Sequence, residues 1–488
     1  MVPPEDEHDC GWRTYAEALT KAHEEKLAEV LSKLSQVSAR LEEVEKRKRG
    51  HRSEKRKSPK MPPAVVERAT PEATRQTREE RAALREARVE VEIEKALVPP
   101  EQCTCPKCGN AKLREVGRGT PSTTIDYVPG YFRKRTLLRQ TLSCRCGHIV
   151  TAPGPDRVGE KTRYGASFIA HLCVSKCSDS IPQYRLEKEY QRLGIPLTRS
   201  TLCALFHRGA GELRPLYNAA CKLVPQALDI HADETSIRQL GLGKRAFVWN
   251  FVTPELIVYV FAQTRGGDVP KAILGDSQGR LVVDQHTGYN AVTKPGQRVR
   301  AGCLAHARRK IFEQNEHPEA KEALDLIGAI YRIERDVKKA GLTGSEQHLE
   351  IRRKEARPLF AKLLWWARRQ RGAHEPKSGM GKAVGYLLRN RRALKQFLNY
   401  ASIPPDNNKA EAGLRRVAVG RSNFLFVGNE QAGHDLAIIY TLVASCEKHG
   451  INPVAYLSDV LVRVQKHPAS RIEELLPHRY RPPERAAS

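Results

Sequence analysis

Three apolar segments follow one another in the middle of the chain: ALDIHADET (227–235), AFVWNFVT (246–253) and LIVYVFAQT (256–264). Their β-branched and aromatic side chains, separated by turn signals, predict three consecutive strands. A short helical piece, DVPKAILG (268–275), then precedes a fourth strand at RLVVDQ (280–285) and a fifth at VRAGCLAHA (299–307) that runs into a helix. This order predicts an RNase H-like α/β domain, in which the first and fourth strands are neighbours.

Two aspartates follow strands that this layout makes adjacent. Asp233 is placed at the end of the first predicted strand and Asp284 at the end of the fourth, so their carboxylates can share a pair of cations. Glu411 can supply a third carboxylate from a helix that begins near Pro404-Pro405-Asp406, with Asp406 as candidate N-cap. We therefore predict a catalytic site of Asp233, Asp284 and Glu411. For each acid taken alone, a structural or solvated role is the alternative.

Three carboxylates at one place are typical of phosphodiester chemistry. Cleavage needs a nucleophile made from water or a 3′-hydroxyl, and it needs stabilisation of the departing oxygen. Two divalent ions about 3.5–4 Å apart provide both. Because Mg²⁺ prefers hard oxygen ligands, we expect Mg²⁺, or Mn²⁺, to bind these acids.

The fifth strand leads into a basic helix with three candidate supporting residues, His306, Arg308 and Arg309. One hypothesis is that they face the scissile phosphate or orient the catalytic carboxylates; charge on a helix surface is the alternative. Residues from about 313 to 401 are helical in pattern and rich in Arg and Lys. Because a simple crossover needs only a dozen or so residues, this stretch is predicted to be a helical insertion.

The predicted helix of Glu411 carries four further candidates. Asn407 and Asn408 either cap the helix or position Glu411, and capping is a common role of asparagine at this place. Arg415, four residues after Glu411, and Arg421 are candidates for contacts to DNA phosphates. A solvated helix face explains the two arginines equally well.

Towards the N-terminus, residues 12–48 are predicted to form a coiled-coil helix. The apolar positions alternate spacings of three and four, as a heptad seam does: Leu27, Val30, Leu34, Val37, Leu41 and Val44. A single amphipathic helix packed on its own chain is the alternative. The basic stretch that follows, 49–88, cannot bury enough apolar surface to fold and is predicted to be a linker. It is either a solvated tether or a contact to DNA.

Clustered cysteines predict a zinc-ribbon-like module over residues 89–158. Two cysteine pairs are joined by a predicted hairpin around Pro129-Gly130, and their thiolates are the expected zinc ligands: Cys105, Cys108, Cys144 and Cys146. The second pair is one residue short of the usual CxxC spacing, so Cys103 is a possible substitute. Reduced cysteines in a small core are the alternative.

Residues 159–224 are predicted to be helical. The stretch GIPLT (194–198) separates two helical patterns, and Arg199, Ser200 and Thr201 open the second one. A short turn with glycine between two helices suits a helix-turn-helix that binds DNA. An ordinary helical hairpin is the alternative.

The charge balance predicts a polyanionic partner. The 488 residues include 83 Lys and Arg against 56 Asp and Glu, a net charge of +27. Neutralising phosphates and releasing their counterions drives binding to nucleic acid. No apolar stretch reaches the roughly 18 residues of a membrane span, and the acidic start lacks the apolar core of a secretory signal. We therefore expect a cytoplasmic, nucleoid-associated protein, with its twelve cysteines reduced.

Several motifs together resemble the insertion-sequence-66 transposase family. The resemblance is carried by five stretches that stand in the family's order: HADET (231–235), VVDQHTGYNAV (282–292), GCLAHARRKIFE (302–313), DNNKAEAGLR with GRSNFLFVGNEQAG (406–433), and the end region 452–480. It also extends to the N-terminal helix, to GHRSEK (50–55) and to the cysteine module. Nearly the whole chain is therefore covered.

The resemblance implies that Asp233, Asp284 and Glu411 are an acidic triad that uses Mg²⁺. It also implies Zn²⁺ in the N-terminal module and action beside two small accessory proteins of the same element. The chain departs from the family at neighbours of the carboxylates: Gln285 and His286 replace the usual Gly and Tyr, Ala412 replaces Arg, and Ser422 replaces Lys. These differences bear on efficiency and DNA contacts more than on the class of reaction.

The sequence thus predicts a multidomain α+β protein with a transposase catalytic domain at 225–445 and a family tail at 446–488. As a DNA transposase it would act on the terminal repeats of its element and on target DNA, as a homo-oligomer. Two other functions fit the same residues. One is a transposase-derived DNA-binding regulator without catalysis, and the other is an RNase H-like nuclease that cuts but does not join strands.

Overall fold

The computed structural model describes residues 164–483 continuously. Before them it describes residues 17–27, 29–30, 32–33, 130, 132, 138, 140–143, 149–151, 157–159 and 162. The expected zinc ligands Cys105, Cys108, Cys144 and Cys146, the alternative Cys103 and the linker 49–88 lie outside these residues. The zinc module and the linker therefore stay predictions.

The described residues between 17 and 33 are helical. Within them, Leu27 and Val30 belong to the predicted heptad seam, and both side chains are more than half exposed. An exposed apolar seam is compatible with a partner helix. The rest of the seam lies outside the described residues, so the coiled coil also stays a prediction.

A small antiparallel hairpin precedes the main body. It joins β1 (Thr141–Ser143) to β2 (Ile149–Thr151). The sequence predicted a hairpin around Pro129-Gly130; β1 lies after that turn, and the residues just before the turn lie outside the described part of the chain. No strand was predicted at β2, because three residues are too short to show an alternating pattern.

Three helices lead to the central sheet: α1 (Ala166–Cys177), α2 (Gln183–Arg192) and α3 (Arg199–Leu223). The turn predicted at 194–198 separates α2 from α3. The side chain of Thr198 accepts a hydrogen bond from the backbone N–H of Thr201 at 3.4 Å and caps α3. The helical pair is therefore confirmed, while its binding to DNA stays a prediction.

The sheet has five strands: β3 (Asp229–Arg238), β4 (Arg245–Val252), β5 (Ile257–Ala262), β6 (Arg280–Val282) and β7 (Val299–Ala301). They lie in the order β5-β4-β3-β6-β7. The first three are antiparallel, and β6 and β7 run parallel to β3. The predicted adjacency of the first and fourth strands is confirmed.

Three strand ends differ from the prediction: β6 ends at Val282 and β7 at Ala301, before the predicted ends at 285 and 307, and β3 continues beyond Asp233. Asp233 lies in the middle of β3, because β3 continues to Arg238 in a long hairpin with β4. Only the ladder between β3 and β6 ends nearby, at His231. The position relative to the parallel neighbour was therefore predicted correctly, and the end of the strand was not.

A helical insertion follows the sheet. After α4 (Asp268–Leu274) and α5 (Leu304–Phe312), the chain forms α6 (Pro318–Lys339), α7 (Glu346–Ile351), α8 (Arg357–Arg371) and α9 (Gly379–Leu394). Apolar residues of α5, α6, α8 and α9 form a core of their own. The insertion predicted at about 313–401 is thus helical, and its folding is supported by an independent apolar cluster.

Three further helices complete the described chain: α10 (Asn408–Phe424), α11 (Glu430–Lys448) and α12 (Pro453–Arg463). They share one hydrophobic core with α1, α3 and the sheet. Segments predicted as separate domains, 159–224 and 446–488, therefore contribute to the same core as the sheet. Among the described helices, none has the length and apolar character needed to span a membrane.

Candidate active site

Two of the predicted carboxylates meet beside the parallel part of the sheet. Asp233 lies on β3, and Asp284 lies two residues after β6. Together with the neighbouring Glu234 they offer oxygen atoms that all lie within 4.8 Å of one another. The site that the sequence predicted between the first and fourth strands is therefore a cluster of acids.

The loop of Asp284 is held by local hydrogen bonds. An oxygen of its carboxylate accepts from the backbone N–H of His286 at 2.7 Å. From β7, the guanidinium of Arg300 donates to the carbonyl oxygens of Asp284 at 2.7 Å and of His286 at 2.9 Å. These contacts fix the carboxylate of Asp284 in front of β3.

Crowding of acids changes the proton affinity of Asp233. The pKa of the Asp233 carboxyl is raised to about 7, most of all by burial and then by the nearby carboxylates of Glu234, Asp284 and Glu411, against a backbone hydrogen bond from Glu234 that lowers it. A divalent cation would relieve this repulsion, because it favours the ionised form of each acid. The all-oxygen donor set of Asp233 and Asp284 fits Mg²⁺ or Mn²⁺.

Glu234 is a member of this cluster that the sequence analysis missed. Its side chain is fully buried and its Oε1 accepts from Arg265 at 2.5 and 2.8 Å. The hydroxyl of Tyr289 donates to the other oxygen at 2.7 Å. Strand alternation places adjacent residues on opposite faces, so the pattern gave no reason to group Glu234 with Asp233. The only signal was the pair of consecutive acids in HADET.

Glu411 lies apart from the two aspartates, in the first turn of α10. Its carboxylate oxygens are 3.6 Å from Nδ1 of His306 and 3.9 Å from the guanidinium of Arg309. With Cys303 and His306 it forms a second group of possible metal ligands, again within 4.8 Å of one another. The structure therefore brings Asp233 and Asp284 together and places Glu411 near enough to affect Asp233, but in a different ligand group.

Asn407 ties the start of α10 to the strand of Asp233. Its side-chain amide donates to the carbonyl oxygen of Ala232 at 2.8 Å, and its Oδ1 lies 3.2 Å from Nδ1 of His231. Since burial lowers the pKa of His231 to about 4, the ring is neutral and its Nδ1 donates to this oxygen. Asn407 thus positions the helix instead of capping it with its side chain.

The N-cap of α10 is Asn407 and not the predicted Asp406, although Oδ1 of Asp406 accepts a hydrogen bond from the backbone N–H of Asn408, the first residue of the helix, at 3.1 Å. The side chain of Asn408 is exposed. Of the two roles considered for this asparagine pair, positioning therefore suits Asn407, and the structure shows neither role for the side chain of Asn408.

The body of α10 packs closely on β3 and β4. Asn250 donates to the carbonyl oxygen of Ala410 at 2.8 Å, and the hydroxyl of Tyr259 donates to that of Gly413 at 2.7 Å. A Cβ atom on Gly413 would lie 2.6 Å from Nδ2 of Asn250. These contacts set the distance between the helix of Glu411 and the sheet.

The predicted arginines have different surroundings. Arg421 donates to Oγ1 of Thr235 at 2.7 Å and to the carbonyl oxygen of Ser236 at 2.6 Å, so it joins α10 to β3. Arg308 lies 5.9 Å from the ring of Phe312. Two other candidates, Arg309 and Arg415, are exposed. Contacts of these residues to phosphate stay predictions.

A basic cavity of about 600 Å³ opens at the tip of the β3–β4 hairpin, beside the end of α10. Four basic residues line it: Arg238, Lys244, Arg245 and Arg421. Only Arg421 was a candidate from the sequence. The others lie around a turn that brings Gly241 and Gly243 to positive φ, and only the folded hairpin brings them to the same cavity as α10.

Two of the four departures from the family pattern lie near the acids. His286 is 3.8 Å from Glu234 and its ring lies edge-on to Trp249, so it is part of the buried surroundings of the cluster. The neighbouring Gln285 has a buried amide nitrogen without a hydrogen-bond partner among the described residues. Ala412 and Ser422 are exposed on α10, so these two replacements change the helix surface.

Two models of known protein families match the sequence of this chain. The model described as the Transposase IS66 family matches residues 161–435, and the IS66 C-terminal element matches residues 441–478. Together they include the sheet, both groups of possible ligands, the insertion and α10 to α12.

Three curated relatives come from Sinorhizobium fredii (strain NBRC 101917 / NGR234). The uncharacterized protein y4hP is 28% identical over 420 residues, which cover 80% of this chain and 75% of the relative. The uncharacterized proteins y4jD and y4qI are each 29% identical, covering 78% and 80% of this chain and 79% and 76% of their own lengths. The similarity therefore extends well beyond the short motifs.

Proposed function

Because this chain belongs to the IS66 family of transposases, we propose that it cleaves and joins DNA at the ends of a bacterial insertion sequence. The proposed reaction is that of a DDE transposase, with Asp233, Asp284 and Glu411 as its acids. The observation that carries the proposal is the proximity of Asp233 and Asp284, whose oxygens lie within 4.8 Å of each other. An RNase H-like strand order supports it.

The proposed role of the three acids is to bind the divalent ions that the reaction uses. Asp233, Asp284 and Glu411 would hold Mg²⁺ or Mn²⁺, which would supply Lewis acidity toward the phosphodiester and lower the pKa of the attacking hydroxyl. The carboxylates of Asp233 and Asp284 are held in place as ligands, because each accepts a hydrogen bond from a nearby backbone N–H. Glu234 is paired with Arg265 and shapes the electrostatics of Asp233.

Glu411 approaches the aspartates from a helix that is fixed on the sheet. Asn407, Asn250 and Arg421 tie α10 to β3 and β4. In the proposed active complex, Glu411 therefore joins the other two acids by rotation of its own side chain. His306 and Arg309 lie 3.6 and 3.9 Å from its carboxylate, and we propose them as positioning residues.

Binding of DNA is distributed over the chain. The net charge of +27 favours a polyanion, and the basic cavity at the β3–β4 hairpin is a proposed contact for the sugar-phosphate backbone. Further parts of the proposal are terminal-repeat recognition by α2 and α3, Zn²⁺ in the cysteine module, self-association through the N-terminal helix, and accessory proteins of the same element.

The decisive experiment is a strand-transfer assay with Mg²⁺ and DNA that carries the element's own ends, in the presence of the accessory proteins. The wild type should give joined product, and Asp284→Asn should lower its yield by at least about a thousandfold, as removal of a central catalytic group does. The exposed Asp276→Asn is the matched control and should behave as the wild type.

Other results would select other functions. Equal joining by Asp284→Asn and wild type would overturn the proposed site, and cutting without joining would identify a nuclease. A DNA-binding regulator is the second candidate, and the grouping of Glu411 with Cys303 and His306 favours it. Metal-independent binding of both proteins to the ends, with no cutting, would establish that function.

A further inference from the structure

A group of three different ligand types lies beside the acids. Cys303 precedes the first residue of α5, His306 lies in the first turn of that helix, and Glu411 lies in the first turn of α10. Their sulfur, nitrogen and oxygen atoms are all within 4.8 Å of one another. Two helix starts therefore face each other and present a thiol, an imidazole and a carboxylate to one point.

The spacing suits one small ion. Bond lengths of about 2.0–2.3 Å in a tetrahedral zinc site separate neighbouring ligand atoms by roughly 3.3–3.6 Å. Nδ1 of His306 and Oε1 of Glu411 are 3.6 Å apart, which is too long for a hydrogen bond. Only a small adjustment of side chains would place both atoms on the same ion.

Two polar atoms at this point are unsatisfied. Nδ1 of His306 and Oε1 of Glu411 are both buried and have no hydrogen-bond partner among the described residues. A buried polar atom without a partner destabilises the folded state, so folded proteins normally give it one. A shared cation would satisfy both atoms at once.

The sulfur of Cys303 is held in place by a hydrogen bond. Sγ of Cys303 accepts a hydrogen bond from the backbone N–H of Asn407 at 3.3 Å. Hydrogen bonds to a ligand atom from its surroundings orient that atom and tune the metal. The side chains of His306 and Glu411 are 25% and 29% exposed, so an ion can enter from the solvent side and keep a water molecule as its fourth ligand.

We propose that Cys303, His306 and Glu411 form a binding site for a thiophilic divalent ion of the Zn²⁺ or Co²⁺ type. The ligand set of sulfur, nitrogen and oxygen favours such ions over Mg²⁺. An ion at this site holds Glu411 away from Asp233 and Asp284. A soft metal bound at this site therefore inhibits catalysis by keeping the third carboxylate from the other two. This consequence rests on the proposed function, but the binding of the metal does not.

The test is a titration of the full-length protein with Co²⁺, after Zn²⁺ has been supplied at one equivalent for the N-terminal cysteines. We follow the near-ultraviolet charge-transfer band from sulfur to cobalt and the number of bound metal ions per chain. The wild type should show this band and bind one ion more than Cys303→Ser. Cys203→Ser, which removes a partly buried thiol elsewhere on α3, is the matched control and should retain the band.

Two further variants keep the thiol in place. His306→Ala and Glu411→Gln should each retain a sulfur-to-cobalt band but shift it and weaken binding at least tenfold, since each lacks one ligand. If Cys303→Ser unfolds, these two variants decide the question alone. Identical spectra, affinities and stoichiometry for wild type and all variants would overturn the site. This readout does not involve DNA, so a failed strand-transfer assay leaves its meaning unchanged.

Discussion

At the residue scale, Asp233 shows how three neighbouring acids affect one another. Its carboxyl is largely buried beside Glu234 and Asp284, and its pKa rises to about 7. The same acid in an unfolded chain has a pKa of about 3.9. In the metal-free protein, ionising Asp233 therefore costs stability above pH 7, and this cost disappears as the pH falls towards 4.

We predict that Asp233→Asn stabilises the metal-free protein. With a chelator at pH 8, the free energy of unfolding should increase by on the order of 2–4 kcal/mol, because the buried charge is gone. At pH 5 the gain should be much smaller, since the wild-type carboxyl is then protonated. Urea unfolding at both pH values measures the difference.

The control for this prediction is Asp276→Asn, whose acid is exposed and should change little at either pH. Adding Mg²⁺ at pH 8 should stabilise the wild type but not Asp233→Asn. A variant that is less stable than the wild type at pH 8 in the chelator would show that the acids do not repel one another as described.

At the element scale, α10 owes its position to contacts with the sheet along its whole length. Asn407 reaches β3 at the start of the helix, Gly413 lies against Asn250 of β4 and Tyr259 of β5 in the middle, and Arg421 reaches β3 near the end. Further back along the chain, the buried Arg352 donates to the carbonyl oxygens of Phe397 and Ile403 at 2.7 and 3.0 Å. The insertion therefore also fixes the segment that leads into α10.

Gly413→Ala tests how closely α10 must approach β4. The new Cβ would meet Nδ2 of Asn250 at 2.6 Å, so either the helix or the hydrogen bond of Asn250 to Ala410 must shift. Overpacking of this kind costs about 1–3 kcal/mol. We expect this loss in the free energy of unfolding, together with a strand-transfer rate at least tenfold lower.

Gly211→Ala is the matched control for that change. Gly211 lies within α3, and a Cβ there meets no atom within 4 Å. Alanine is the better helix former by up to about 1 kcal/mol, so this variant should be as stable as the wild type or more stable. If Gly413→Ala behaved in the same way, the close approach of α10 would not matter for the site.

At the scale of the whole molecule, the excess of 27 positive charges predicts that the proposed DNA binding depends on salt. The basic cavity at the β3–β4 hairpin lies roughly 17 Å from Asp233 along the strand, at about 3.3 Å per residue. A duplex that reached both places would be held at its backbone while its phosphodiester faced the acids. We therefore expect charge on the hairpin to contribute to affinity for DNA at a distance from the proposed chemistry.

Replacing both Lys244 and Arg245 by alanine should weaken DNA binding most at low salt. The slope of log K against log salt should fall by about 2, since each phosphate contact contributes roughly 0.9. Fluorescence anisotropy over a series of salt concentrations measures the slope. Replacing Lys338 and Lys339, at the end of α6, removes the same charge elsewhere. An equal loss of slope in both double variants would mean that the hairpin has no special contact.

Sequence alone determined the elements that local pattern controls. Alternation and apolar content predicted the strands of the sheet and their order, because the side chains that face a buried sheet must be apolar. The sequence also identified Asp233 and Asp284 as partners, because the predicted topology makes β3 and β6 neighbours. Helices α2 and α3 and the turn between them were evident for the same local reasons.

Only the tertiary structure decided which side chains lie close enough together to form one site. Glu234 joins Asp233 although strand alternation assigns the two to opposite faces, because the loop of Asp284 and the partners Arg265 and Tyr289 meet there. The group of Cys303, His306 and Glu411 combines residues more than 100 positions apart. Such meetings depend on how α5 and α10 pack, and packing is set by long-range contacts that no local pattern in the sequence records.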